Sequence, residues 1–128
     1  MTVKIHPREP ERIALANLPT PVFAAHRLAS HLGIERLCFK RDDLTGLEAS
    51  GNKVRKLEYV VAQAIRKSAD TLVTLGGTQS NHCRATAAVA ARLGLNCRLL
   101  LRSHAPPPTE PKGNLLLHEL LGAEISFH

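Results

Sequence analysis

At 128 residues, 44% of them hydrophobic and 22% charged, the chain has the make-up of one soluble globular domain and excludes a disordered tract. Aromatic residues are only 3%, so the core must come from Leu, Val, Ile and Ala, which favours helices on a sheet over an aromatic-rich barrel or sandwich. The net charge of +6 is spread along the chain with no run of like charges and few aromatics between them, which argues against a nucleic-acid partner.

Residues 1–21 are irregular and punctuated by proline, closing on Leu18-Pro19-Thr20-Pro21. A short helix is expected over 22–32, stopped by Gly33, then a strand over 37–40 and a polar stretch over 41–51. The clearest helix follows. Leu57, Val60, Val61, Ala64 and Ile65 recur at helical spacing, with Lys56, Glu58, Gln63, Arg66 and Lys67 assigned to the opposite face. A buried-type strand over 71–75 is expected to break at Gly76-Gly77. It leads into an alanine-rich helix over about 79–93, stopped by Gly94. A strand over 97–101, a Pro-rich loop, a leucine-rich helix over 113–121 and a final strand over 123–127 complete the pass.

Strands alternating with helices call for a parallel sheet with right-handed crossovers, an α/β fold of the partial doubly wound kind with helices on its faces. The last strand begins at the very end of the chain and leaves edges and faces uncovered, so the sequence reads as a fragment or as a chain that needs more sequence to close its core. The three cysteines form no CxxC pair and no zinc-spaced cluster, the histidines sit in no metal-ligand frame, and residues 1–20 carry no apolar signal core. With no apolar run of spanning length, the expectation is a cytoplasmic chain with reduced thiols, no membrane partner and no metal.

Chemistry can sit in two places. In Gly51-Asn52-Lys53-Val54-Arg55-Lys56, Gly51 allows a tight turn, Asn52 is placed to cap the helix, and Lys53 falls in its first turn, where the helix dipole disfavours a cation. Lys40, Arg41, Arg55 and Lys56 crowd the same region in sequence. The crowding favours a neutral amine able to attack an aldehyde. Solvated surface lysines are the ordinary alternative. In Gly76-Gly77-Thr78-Gln79-Ser80-Asn81-His82, a strand feeds a helix N-terminus whose free N–H groups suit an anion, although Thr78 or Ser80 capping the helix explains the same residues. Neither a dinucleotide nor a Walker loop is present. The pair Asp42-Asp43 is expected to bond its own loop backbone and to take no part in acid–base work.

Taken together, Leu18-Pro19-Thr20-Pro21, Lys40-Arg41-Asp42-Asp43-Leu44-Thr45-Gly46, Gly51-Asn52-Lys53-Val54-Arg55-Lys56-Leu57-Glu58 and Gly76-Gly77-Thr78-Gln79-Ser80-Asn81-His82 stand in one family's order. The chain resembles the D-cysteine desulfhydrase and 1-aminocyclopropane-1-carboxylate deaminase family, pyridoxal-phosphate enzymes of the tryptophan-synthase-β fold type. The stretch over 113–124 is similar to that family too, so the resemblance runs from about Leu15 to the end.

The resemblance implies pyridoxal 5′-phosphate as cofactor. It implies Lys53 as the lysine that condenses with it and then moves protons, and places Asn52 and Asn81 on the cofactor as well, Asn81 at the ring 3′-oxygen. It implies Ser80 as a catalytic residue beside the substrate, and Ser80, Asn81 and His82 as the holders of the substrate carboxylate. The reaction implied is α,β-elimination or ring-opening deamination of a small amino acid to a 2-oxo acid and ammonia. A homodimer of the longer protein is implied as well.

The chain then corresponds to the N-terminal portion, with about 1–50 as the irregular lead-in and about 51–128 as βα units of the smaller domain. The glycine-rich phosphate cradle would lie beyond them. Ser50 departs from the family's usual glycine. A non-catalytic remnant and a small-anion-binding α/β module are the alternatives, and a nucleotide-binding domain would need a phosphate motif the sequence lacks.

Overall fold

The computed structural model describes residues 10–46, 51–103, 106 and 108–128, so Ser50 and the first nine residues lie outside it. Two sheets organise the chain. The smaller is antiparallel: β1 (Val22–Ala24) pairs with β2 (Cys38–Lys40), Phe23 opposite Phe39. The two rings stack with centroids 5.3 Å apart, and the Arg41 guanidinium lies 5.8 Å from the Phe23 ring centre. The helix expected over 22–32 is therefore shorter. α1 covers only His26–His31, because Val22 and Phe23 gain more by pairing across to β2 than by starting a helix. Gly33 does close α1, at φ +66°.

The larger sheet is parallel, in the order β3 (Thr71–Gly77), β4 (Asn96–Arg102), β5 (Glu124–Phe127). Its connections are α3 (Asn81–Leu93) and α4 (Asn114–Leu120), while α2 (Lys53–Arg66) precedes β3 and packs on α3. The register aligns Leu72 with Cys97, and Leu99 and Leu101 with Ile125 and Phe127, on one face. That face meets Val54, Leu57 and Val61 of α2, the alanines of α3 and Leu115 of α4 in one core. Leu99 and Leu101 are fully buried, each contributing about 1.5–3 kcal/mol of apolar burial. Ala85, Ala87, Ala88 and Ala90 are buried with Cys83 and Val89, so α3 is enclosed on nearly every side, which only small side chains permit. The other face leaves Val73, Leu75 and Leu100 exposed, with Arg98 and Glu124 paired on it at 2.8 Å.

Two expectations change here. Gly76 and Gly77 do not break β3 but belong to it, paired with Leu101 and Arg102. A Cβ on Gly76 would sit 2.8 Å from Cys83 Sγ and from Ser80 Cβ, so glycine is there to let α3 begin directly against the strand. The buried face of α2 is also turned from the expected stripe: Val54, Leu57, Glu58, Val61 and Ala62 are inside, whereas Val60 and Ile65 are exposed. Glu58 is the reason. It points inward to accept from Leu15 N (2.8 Å) and Ala16 N (2.9 Å), which have no strand to pair with, while its carbonyl takes Ile13 N at 3.1 Å. A carboxylate assigned to the solvent face thus holds the N-terminal segment onto the core.

Candidate active site

The start of α2 is set by charge. Gly51, at φ +64°, turns the loop into the helix, and the Thr45 hydroxyl lies 2.8 Å from Gly51 O and 3.1 Å from Asp42 O, one proton shared by two carbonyls. Asp42 takes a two-pronged bond from Arg55, Nε at 2.8 Å and Nη2 at 2.7 Å, and a third from Thr20 Oγ1 at 2.8 Å. The Arg55 bond, then the Thr20 bond, holds the Asp42 carboxyl down at about 2. Arg41 pairs with Asp43 at 2.6 Å, and Lys40 Nζ donates to Thr20 O. Asp42 and Asp43 are therefore bonded mainly by side chains, not by their own backbone as expected.

The crowd of cations expected around Lys53 is correspondingly thinner, because Arg55, Arg41 and Lys40 are each engaged elsewhere. Asn52 stands at the N-cap position but its side chain makes no cap. Its φ of −67° and ψ of −14° are already helical, whereas a capping side chain needs an extended backbone to reach the amides. Lys53, half-buried, begins the helix, and among the described residues its amine makes no hydrogen bond or ion pair.

The start of α3 is set by neutral groups. Ser80 is extended (φ −65°, ψ 119°), its Oγ accepts from Cys83 N at 3.2 Å, and its carbonyl accepts from Arg84 N at 3.1 Å. Ser80, and not Thr78, is the cap. The amides of Asn81 and His82 then have no partner among the described residues, leaving two N–H groups at the positive end of a thirteen-residue helix. Asn81 Oδ1 accepts from Asn114 Nδ2 at 3.0 Å, and its own Nδ2 makes no bond among the described residues.

His82 is half-buried, and its buried Nδ1 has no hydrogen-bond partner among the described residues. Burial pushes its imidazole down from the ordinary value, and the positive charges of Lys56 and Lys53 push it further the same way. Those two charges come from the first turn of α2. α2 and α3 pack on each other, so the two helices that carry Lys53 and Ser80-Asn81-His82 are neighbours.

Behind this surface lies a layer that sequence reading did not single out for function. Gln79 Oε1 accepts from Asn114 N (2.8 Å) and its Nε2 donates to Lys112 O (3.0 Å). Arg84 Nη1 donates to Asn114 Oδ1 at 2.7 Å. Gly113, at φ +60°, would place a Cβ 2.6 Å from Gln79 Oε1, so glycine again permits a close approach. His118 is fully buried, and among the described residues neither nitrogen makes a hydrogen bond of ordinary geometry. Burial pushes its imidazole down, the nearby Ser80 carbonyl pulls it up, and Arg84 pushes it down again. Gln79, Gly113 and Asn114 were all in the motifs quoted above. Their spacing of more than thirty residues hid that they meet.

Comparison with known proteins agrees with this picture. The profile of the family described as "Pyridoxal-phosphate dependent enzyme" matches residues 13–128. A bifunctional D-cysteine desulfhydrase/1-aminocyclopropane-1-carboxylate deaminase of Arabidopsis thaliana, named as mitochondrial, is 46% identical over 94% of this chain and 31% of that protein. A D-cysteine desulfhydrase of Klebsiella pneumoniae is 48% identical over 91% of this chain and 36% of that protein. The chain thus spans about a third of the length of the curated relatives it matches. A solved structure described as an ACC deaminase homologue superposes with a TM-score of 0.84 at 38% identity, over 94% of this chain and 35% of that one. An aspartate racemase structure, at 24% identity and a TM-score of 0.64, shares the fold. Among the described residues no helix is long and apolar enough to cross a membrane.

Proposed function

Because the chain belongs to the pyridoxal-phosphate-dependent enzyme family, we propose that its Lys53 holds the cofactor while Ser80, Asn81 and His82 hold a small amino acid beside it. The activity proposed for the whole protein is elimination or deamination to a 2-oxo acid and ammonia, like that named for D-cysteine desulfhydrase or 1-aminocyclopropane-1-carboxylate deaminase relatives. One observation carries the reading: the helix that begins at Lys53 packs on the helix whose start keeps hydrogen-bond donors uncommitted among the described residues.

The residues present fit that cofactor. Lys53 Nζ offers an amine for the aldehyde and afterwards a group to take and return a proton. Asn81 Nδ2 offers a donor to the ring oxygen, and Asn52, exposed at the neighbouring helix start, is the third group proposed on the cofactor. The Asn81 and His82 amides, with the helix dipole behind them, suit the substrate carboxylate. Ser80 Oγ is committed to capping α3 through one lone pair, which leaves its proton for the substrate. The half-buried His82 favours its neutral form, so it can bond the substrate without adding a charge to the site. Pyridoxal phosphate, when bound, supplies the electron sink. The phosphate cradle, a homodimeric assembly and a cytoplasmic location are proposed for the longer protein.

Ser80→Ala in the protein expressed from its full reading frame tests the reading. Removing a helix cap alone costs about 1 kcal/mol of stability. The proposal expects turnover of D-cysteine or 1-aminocyclopropane-1-carboxylate to fall by far more than that loss explains, at a temperature where the variant remains folded. A rate that falls only in step with the folded fraction would reduce Ser80 to a cap and favour a non-catalytic anion-binding module.

A further inference from the structure

The side-chain amide of Asn81 can face the site with either its oxygen or its nitrogen, and the two ends have opposite chemistry. An oxygen there would repel an anionic ring oxygen; an NH2 group would bond it. The structure contains a device that decides between them, and it works through a residue 33 positions away in sequence. Arg84 has only donors to offer, so the atom of Asn114 that meets Arg84 Nη1 at 2.7 Å must be its oxygen. That fixes the other end of the Asn114 amide as NH2, which donates to Gln79 O at 2.8 Å and to Asn81 Oδ1 at 3.0 Å. With its oxygen so occupied, Asn81 has only its NH2 left to present. Asn114 itself is seated by its backbone N–H on Gln79 Oε1, and Gln79 by its Nε2 on Lys112 O. Each bond is of ordinary length; the Arg84 bond excludes a reversed Asn114 amide, and the Asn114 bond in turn excludes a reversed Asn81 amide.

We infer that Asn114, set by Arg84, is a positioning residue that forces Asn81 to show a donor toward the cofactor's ring oxygen. The inference rests on the assignment of Lys53 and Asn81 to the cofactor. Asn114 touches neither cofactor nor substrate in this account and acts through Asn81 alone. Its position at the first turn of α4 makes that helix part of the site's polarity control, and not only a cover for the sheet.

The discriminating variant is Asn114→Asp, made in the protein expressed from its full reading frame. It keeps the size and strengthens the pairing with Arg84, so the purely structural tie between α3 and α4 survives. It removes both donations, to Gln79 O and Asn81 Oδ1, and rewards Asn81 for turning its NH2 inward. The first readout is affinity for pyridoxal phosphate, titrated by its visible absorbance band. The expected loss is about tenfold, the size of one hydrogen bond to a charged oxygen. The second is the pH at which that band changes, expected to rise. Without a donor the ring oxygen holds its share of the proton to higher pH.

In an Asn81→Ala background the same substitution should change neither readout, because the residue it acts through is gone. Melting of the cofactor-free protein should stay close to the parent's; if Asn114→Asp does not fold, Asn114→Ser replaces it with the same expectations. Wild-type affinity and an unmoved transition in Asn114→Asp, or a full effect in the Asn81→Ala background, would overturn the inference. Binding by wild type that is indifferent to Lys53→Ala would instead bring down the cofactor assignment, and this inference with it.

Discussion

The starts of α2 and α3, two helices packed on each other, are built by different means. That of α2 is held by charge: Asp42 grips Arg55, Lys40 anchors on Thr20 O, and Glu58 one turn on draws the N-terminal segment into the core. That of α3 is held mainly by uncharged groups and close steric fit, through Ser80 as cap, Gly76 beneath it and the Gln79–Asn114–Asn81 chain beside it, with Arg84 bonded to Asn114. The division has a chemical logic. At α2 ion pairs engage Arg41 and Arg55, and among the described residues no carboxylate pairs with Lys53. At α3 the cap and the side-chain amides are neutral and Arg84 is bonded to Asn114, which keeps the helix dipole and its two open amides available for an anion.

The contrast can be broken first at Glu58. It is buried and its Oε1 accepts two backbone N–H groups, so Glu58→Ala leaves both without a partner and opens space in the core. We expect a loss of about 3 kcal/mol in denaturant unfolding, partly recovered in Glu58→Gln. A loss below about 1 kcal/mol would mean that the N-terminal segment is not held there. Next comes Gly76→Ala, where the added methyl meets Cys83 Sγ and Ser80 at 2.8 Å. The expected cost is about 2 kcal/mol, with cofactor affinity falling because the first turn of α3 must move. Unchanged affinity in a folded Gly76→Ala protein would show that the turn's position is not critical.

The smallest effect sharpens the comparison by pH. Asp42 titrates at about 2 in the folded chain, below its ordinary value, chiefly through the Arg55 bond. Its contribution is therefore complete above the unfolded carboxyl range of about 4 and is lost as pH falls through about 2. The difference in Tm between wild type and Asp42→Asn should be present at neutral pH, shrink with acid and with added salt, and vanish near the lower value. The Tm difference for Ser80→Ala, which involves no charge, should be unaffected by salt. A salt-sensitive Ser80 effect, or an Asp42 effect that persists in strong acid, would contradict the division.

Much of the fold was legible because the signals were local. Strand–helix alternation, Gly33 and Gly94 as stops and the alanine-rich face of α3 all follow from short-range chemistry. Lys53, Ser80, Asn81 and His82 could be picked out from two short motifs. What was not legible depended on partners distant in sequence. Val22 and Phe23 joined a strand only because Cys38–Lys40 came to lie beside them. Glu58 turned inward because Leu15 and Ala16 needed an acceptor. Asn114 revealed its part only when its bonds to Gln79, Asn81 and Arg84 were seen together. Side-chain polarity over such distances has no periodicity for a sequence reading to detect.

The most direct measurement is covalent. The protein expressed from its full reading frame is incubated with pyridoxal phosphate, reduced with borohydride and digested, and the labelled peptide is identified by mass spectrometry. A label on Lys53, absent in Lys53→Ala, is the result expected here. Label on Lys40 or Lys56 with Lys53 untouched, or no label at all, would contradict the assignment from which the rest follows.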